Sequence, residues 1–318
     1  MGTRNFGLGS RDMGKAGEFA LNSAARDGAV SFSTAATNGE RWGEFARFAK
    51  EEMGVKQMEK IERETVVAYG ESLQEKVSAG EMSAATAQNY ISAVNSVMSL
   101  ATQGQWGSVS PTKDCGIEQR SGIASTDRAI SSAQHDELKA GVGERLGAIL
   151  DLQRSLGLRF EESAKLDAGK ALGEAREAGR VTISAGTKGG LERDVPASPE
   201  AVAALERAAE IQGGDRSMIP AAQTYASFQA ESYRELREAN GQGFHGERHT
   251  YAQERYSELT GAPAPVAAAW GREERFERLA EHLGVSIGEA KAIDQDAREQ
   301  VAQELGHGRC EVTNAYLG

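Results

Sequence analysis

Over most of the chain the apolar residues recur at helical spacing, with only two short stretches patterned as strands. Trp42, Phe45 and Ala49 follow one another on one face from Asn38 onward, and Val66, Tyr69, Leu73 and Val77 repeat the spacing. A third run follows Ser83, a good N-cap type, with Tyr90, Val94, Val97, Met98 and Ala101 on one face. Before these helices, residues 1–37 are rich in Gly, Ser and Ala without sustained periodicity and read as a flexible leader. Periodicity is lost again over 104–128, where Gly, Ser, Pro and Thr gather, so a domain linker is expected there. Beyond it, Leu138, Val142, Leu146, Ile149 and Leu150 mark a single helix closed by Gly157. Two short strands are expected over 181–184 and 191–195, with Thr187-Lys188-Gly189-Gly190 as the hairpin connection. Helical patterning resumes over 198–211 and 225–239. In the next helix His245 and Arg248 share one face, while His249, Ala252, Tyr256 and Leu259 form an opposite, core-facing stripe, which makes His249 a core histidine. The pattern predicts a mainly α protein with a small antiparallel sheet: leader 1–37, helical domain 38–103, linker 104–128 and a second domain over 129–318.

Composition agrees with two domains, since 318 residues with 39% hydrophobic side chains can bury two cores of ordinary size. Cys115 and Cys310 have neither metal-ligand nor redox spacing, so a reducing cytosol is expected rather than a disulfide framework. No run approaches the roughly 20 apolar residues of a membrane span, and the N-terminus lacks an apolar signal core. The net charge of −11 is unusual for a protein that handles nucleic acid, because phosphate contact generally draws on excess Lys and Arg. A DNA-binding role therefore requires positive charge gathered on one face. One helix has a face suited to a phosphate backbone or base edges, in which Gln88, Asn89, Ser92, Asn95, Ser96 and Ser99 are polar, small and uncharged.

The last fifteen residues carry the first candidate chemistry. His307 stands nine positions before Tyr316, with Gly306 and Gly308 placed to turn the chain so that the tyrosine returns towards the histidine. Upstream, Arg159 follows the Gly157 cap with Glu162 three residues on, and Lys188 projects from the hairpin turn. Arg159, Lys188, His245, Arg248, His307 and Tyr316 make a poor set for hydride or acyl transfer and a good one for phosphodiester chemistry. Two arginines can each clamp phosphate oxygens with paired N–H groups and neutralise a pentavalent transition state. A phenol can attack phosphorus and leave again, which keeps the step reversible. Lys188 can protonate the departing 5′ oxygen. A zinc reading of His245 and His249 fails, because Gly246 stands where the zinc-protease pattern needs Glu. No metal or other cofactor is expected.

In four local motifs, SLGLRFEESAKL, TKGGLERDVP, FHGERHTYA and LGHGRCEVTNAYLG, the chain resembles the tyrosine recombinases of the phage integrase type. The helices of 38–103 resemble that family's core-binding domain by pattern. The resemblance implies a clamp around double-stranded DNA, a 3′-phosphotyrosine at Tyr316 and strand exchange without metal or ATP. It implies that Arg159, Arg248 and His307 stabilise the phosphorane, that His245 assists proton transfer, that Lys188 is the general acid and that Glu162 supports the arginines. It further implies a mobile-element recombinase or integrase, assembled as a homo-tetramer on DNA in the bacterial cytoplasm with the nucleoid. Two alternatives carry different signatures: a type IB topoisomerase would relax DNA as a monomer, and a non-catalytic DNA-binding regulator would lack one of the six residues. Residues 261–300 exceed what the family needs and are expected to form an insert. With only two residues after Tyr316, this insert is expected to take over the subunit contact that a C-terminal tail would make.

Overall fold

The computed structural model describes residues 4–120 and 122–318 and divides the chain into two compact units, Met1–Ser121 and Gly122–Gly318. Four helices build the first: α1 (Met13–Arg26), α2 (Phe32–Glu51), α3 (Arg63–Ser78) and α4 (Ala84–Ala101). Three of them start where a side-chain oxygen accepts an otherwise unpaired backbone N–H: Asp12 from Lys15, Ser31 from Thr34 and Ser83 from Thr86. Trp42, Phe45, Ile91, Val94 and Met98 fill the core.

Three expectations are overturned in this unit. The supposed leader folds from Met13 onward, and α1 buries Met13, Ala16, Ala20 and Leu21 while the Met13 carbonyl accepts the Trp42 indole N–H at 3.0 Å. The first half of the supposed linker is a strap on the same core, with Val109, Cys115 and Ile117 all buried. Asn95 holds it at three points: its Oδ1 accepts from Trp106 Nε1 and Val109 N, and its Nδ2 donates to Val109 O. Gln88 is buried and donates to Glu118 O at 2.6 Å. These two amides were expected on a DNA-facing surface; the strap uses them because each can satisfy backbone groups that aperiodic chain leaves unpaired. Asn89, Ser92, Ser96 and Ser99 stay at least partly exposed.

The second unit runs α5 (Ser132–Ala140), α6 (Glu144–Leu156), α7 (Phe160–Lys165), α8 (Ala168–Ala178), β1 (Arg180–Ile183), β2 (Arg193–Pro196), α9 (Pro199–Gln212), α10 (Tyr225–Glu238), α11 (His245–Thr260), α12 (Arg275–Leu283), α13 (Ile287–Glu304) and α14 (Asn314–Leu317). The fold is thus mainly α with one antiparallel hairpin, in which Val181 pairs with Val195 and Ile183 with Arg193. The single helix expected before Gly157 is two, broken at Gly141-Val142-Gly143. Gly157 does end α6, at φ 61°. α11 crosses the middle and is buried from Glu247 to Gln253, so Arg248 and His249 are both inside although they lie on different faces. The insert expected at 261–300 also divides. The part around α12 makes a small cluster of its own with Ala262, Leu279, Ala280 and Ala290. α13 begins in that cluster with Ala290 but places Ala297 and Val301 in the main core. Among the described residues no helix is long and apolar enough to cross a membrane.

A buried ionic cluster ties α5, α6 and α11 together. His135 contacts Glu247 through Nδ1 at 2.8 Å and Asp151 through Nε2 at 3.0 Å; Lys139 also reaches Asp151, and Arg154 reaches Glu247. Burial alone would lower the His135 pKa, but the two carboxylates outweigh it and push it up to about 9. Because the folded value lies above the unfolded one near 6.5, the stabilisation is fully present below pH 6.5 and is lost as pH rises through 9. A shift of that size corresponds to about 3 kcal/mol. The stability gap between the wild type and His135→Gln, measured by urea unfolding, should therefore shrink between pH 6.5 and pH 9.5. A gap that stays constant over that range would show that the imidazolium is not what holds the cluster.

Candidate functional site

Five of the six candidate residues converge within the second unit. Gly157 ends α6 in a left-handed turn, which sets Arg159 at the N-terminus of α7. Glu162, fully buried one turn into α7, accepts from Arg159 Nη1 at 2.7 Å and from the Arg159 backbone N–H at 2.8 Å. His245 opens α11 and Arg248 follows one turn later. α13 ends at Glu304, the chain turns, and His307 Nε2 lies 3.4 Å from Arg248 Nη2. α14 then returns Tyr316 into the same space, with its ring centroid 5.6 Å from that of His307. The Tyr316 hydroxyl accepts from Arg248 Nε at 3.3 Å and lies 3.2 Å from His245 Nε2.

Arg248 has no solvent exposure. It donates to the Gly157 and Leu305 carbonyls as well as to Tyr316, which bolts the end of α6 to the end of α13. Burial lowers its pKa to about 10, so it stays charged at neutral pH. The histidines behave oppositely to His135. Burial, then the charges of Arg248, Arg159 and Arg128, push His245 down to about 4. Burial, then Arg248, Arg159 and Arg193, push His307 down to about 3. Both are neutral imidazoles at pH 7, able to accept or donate a single proton, and the fixed positive charge of the site is entirely arginine.

Lys188 is the candidate that is not brought in. It sits exposed on the hairpin turn and makes no hydrogen bond or ion pair with the other five. His249 is buried as expected of a core histidine, but its ring packs 4.7 Å from the Tyr316 ring, so it also walls the site. A groove of about 760 Å³, lined in part by Asp127, Arg128, Asn240, His245 and His249, opens beside it. Among the described residues no group of three or more His, Cys, Asp or Glu side chains is placed to hold a metal ion.

Residues outside the expected set complete the site. Arg193 on β2 is buried and forks onto both Glu162 oxygens at 2.9 and 2.7 Å. Burial would raise the Glu162 carboxyl, but Arg193, the Arg159 N–H and Arg248 hold it down at about 2. Arg298 on α13 binds Asn314 Oδ1 and Gly318 O, Gln253 on α11 donates to Tyr316 O, and Val266 N donates to Leu317 O. The stretch expected to face a neighbouring subunit thus anchors the tyrosine helix of its own chain. Arg193 lies within the motif TKGGLERDVP but was given no role from the sequence, and Arg298 carried no local signal.

Residues 116–254 match the sequence profile of the family described as integrase; this span contains Arg159, Lys188, His245 and Arg248 and stops before His307 and Tyr316. No curated protein matches the chain in sequence. Solved structures do match in fold. An integrase of the Tn1549 transposon in complex with circular intermediate DNA is 14% identical with a TM-score of 0.54, over 97% of this chain and 96% of that one. A lambda integrase tetramer bound to a Holliday junction is 12% identical with a TM-score of 0.53, over 94% of this chain and 78% of that one. XerH site-specific recombinase in a post-cleavage complex on a palindromic difH substrate is 15% identical with a TM-score of 0.51, over 91% and 83%.

Proposed function

We propose that this chain, which resembles the tyrosine recombinases of the phage integrase type in both sequence profile and fold, is a site-specific DNA recombinase that cleaves and rejoins DNA through Tyr316. The observation that carries the reading is the packing of one phenol hydroxyl against a buried arginine and a neutral histidine. Tyr316 Oη attacks the phosphorus and passes its proton to His245 Nε2, which lies 3.2 Å from the hydroxyl on an imidazole that is neutral at pH 7. Arg159, Arg248 and His307 donate to the non-bridging oxygens of the phosphorane. The bond to the 5′ oxygen breaks, and Lys188 protonates it once the hairpin turn closes on the DNA. The result is a 3′-phosphotyrosine and a free 5′ hydroxyl, and the reverse sequence reseals a strand. Because Tyr316 covers Arg248 in the free protein, phosphate reaches this arginine only if the tyrosine side chain or α14 shifts.

The duplex itself needs positive charge that the chain as a whole lacks. Arg4, Arg11, Arg47, Lys50 and Lys56 gather around one cleft of the first unit lined also by Asp12 and Glu51, with Arg47 paired to Glu44, and the remaining excess of cations supports backbone contact there. The lambda integrase neighbour, a tetramer bound to a Holliday junction, supports assembly of several copies on DNA.

The reading is tested by offering the full chain nicked duplexes of randomised sequence, recovering the covalently trapped DNA, and placing two copies of it on a supercoiled plasmid. Exchange between the two sites is expected. Relaxation without exchange would make the protein a topoisomerase, and no trapped DNA at all would make it a binding module. On the recovered duplex Lys188→Ala should cleave about 10² to 10⁴-fold more slowly with little loss of binding, and replacing the bridging 5′ oxygen by sulfur should restore much of the rate. Absence of that rescue would assign Lys188 to binding.

A further inference from the structure

Glu162 is fully buried and faces three cations: Arg159 at the start of its own helix, Arg193 from β2 and Arg248 from α11, the last at 3.8 Å. Arg193 is the one whose guanidinium reaches both carboxylate oxygens; Arg159 reaches one through Nη1 and the other through its backbone N–H. Its Nε also donates to Glu304 O at 2.7 Å, at the end of the helix that leads into His307. The chain after Glu304 is shaped around this side chain: Gly306 has φ 66°, and a Cβ there would stand 3.0 Å from Arg193 Cδ. The hairpin that bears Arg193 also bears Lys188, and its near end packs on the Glu161 backbone at Gly186. One guanidinium therefore joins the Lys188 hairpin, the start of α7 and the approach to His307.

We infer that Arg193 is a positioning residue for the strand-cleavage reaction: by occupying Glu162 it leaves the outer N–H groups of Arg159 free for phosphate and fixes the hairpin and His307 in register with them. The inference rests on the recombinase reading. With Arg193 removed, Glu162 keeps its burial but loses its principal partner, and its remaining demand falls on Arg159 and Arg248, the two groups meant for the phosphate. The Arg193 side chain hydrogen-bonds Glu162 and the Glu304 carbonyl rather than Tyr316.

The test uses the full chain with Arg193→Met and Arg193→Lys, on the nicked duplex recovered by the wild type. Duplex binding should change little, while formation of the covalent adduct slows about 10²-fold in Arg193→Met and less in Arg193→Lys. The Met variant should also acquire an acid limb that the wild type lacks, because the Glu162 carboxyl stays buried but loses the Arg193 fork, which raises its pKa above the wild-type value. Adding Glu162→Gln to Arg193→Met should cost little more and should abolish the limb. Carboxyl NMR gives a readout without DNA: Glu162 should stay ionised down to about pH 2 in the wild type and titrate well above that in Arg193→Lys. If Arg193→Met does not fold, Arg193→Lys carries both measurements. Wild-type rates in folded variants, or parallel loss of stability, binding and rate without an acid limb, would overturn the inference. A wild type that traps no DNA at all would instead sink the recombinase reading, and the NMR titration would still decide whether Arg193 governs Glu162.

Discussion

Tyr316→Phe should form no covalent adduct on a duplex that the wild type traps, while unfolding at nearly the same denaturant concentration and binding the duplex with similar affinity. The phenol ring is 5% exposed and packs among His245, His249 and His307, so Phe keeps the burial. What disappears is one oxygen, which accepts from Arg248 and contacts His245; a lost hydrogen bond of this kind costs about 1 kcal/mol in stability. Covalent chemistry has no substitute for that oxygen, because among the described residues no other hydroxyl or thiol hydrogen-bonds Arg248. An adduct from the Phe variant as abundant as from the wild type would remove Tyr316 from the mechanism.

Arg248 should separate chemistry from folding when two variants are compared. Arg248→Met leaves the Gly157 and Leu305 carbonyls without their donor and deprives buried Glu162 of a nearby cation, at a cost of about 3 to 5 kcal/mol. Arg248→Lys keeps the charge but cannot serve Gly157, Leu305 and Tyr316 at once, so it should fold with a smaller loss and still cleave about 10² to 10³-fold more slowly. Urea unfolding gives the first comparison and single-turnover trapping gives the second. A Lys variant that cleaves at the wild-type rate would show that the guanidinium fork serves only to hold α6 against α13.

The parts of the site legible from the sequence were those whose side chains sit in distinctive local settings. A glycine closing a helix announces the turn that presents Arg159, and two glycines flanking His307 announce the return of Tyr316. Arg193 has no such mark. On a four-residue strand an inward arginine and an outward one differ only by register, and one residue of slip exchanges them. Each misread stretch has its own physical cause. α1 packs through Ala16, Gly17, Ala20, Ala24 and Ala25, and side chains so small give almost no hydrophobic signal although their spacing is helical. The strap over 104–120 has no period because its own turns and the amides of α4, rather than a ladder, satisfy its backbone. Most of α13 fell in the stretch expected to be an insert, yet its polar Asp294, Arg298 and Glu304 are all buried and satisfied: Asp294 with Arg298 and Tyr256, Glu304 with Tyr251 and Arg255. Polar residues that pair inside a fold are indistinguishable in sequence from those that face water.

The most direct measurement is the chemical mapping of the trapped complex. The full chain is incubated in EDTA with the nicked duplex, digested with nuclease and protease, and the cross-linked peptide is sequenced by mass spectrometry. The account predicts one modified residue, Tyr316, carrying a nucleotide through its 3′ phosphate, in a yield that chelation does not reduce. A nucleotide on any other residue, a 5′ linkage, or a yield that requires added magnesium would contradict it.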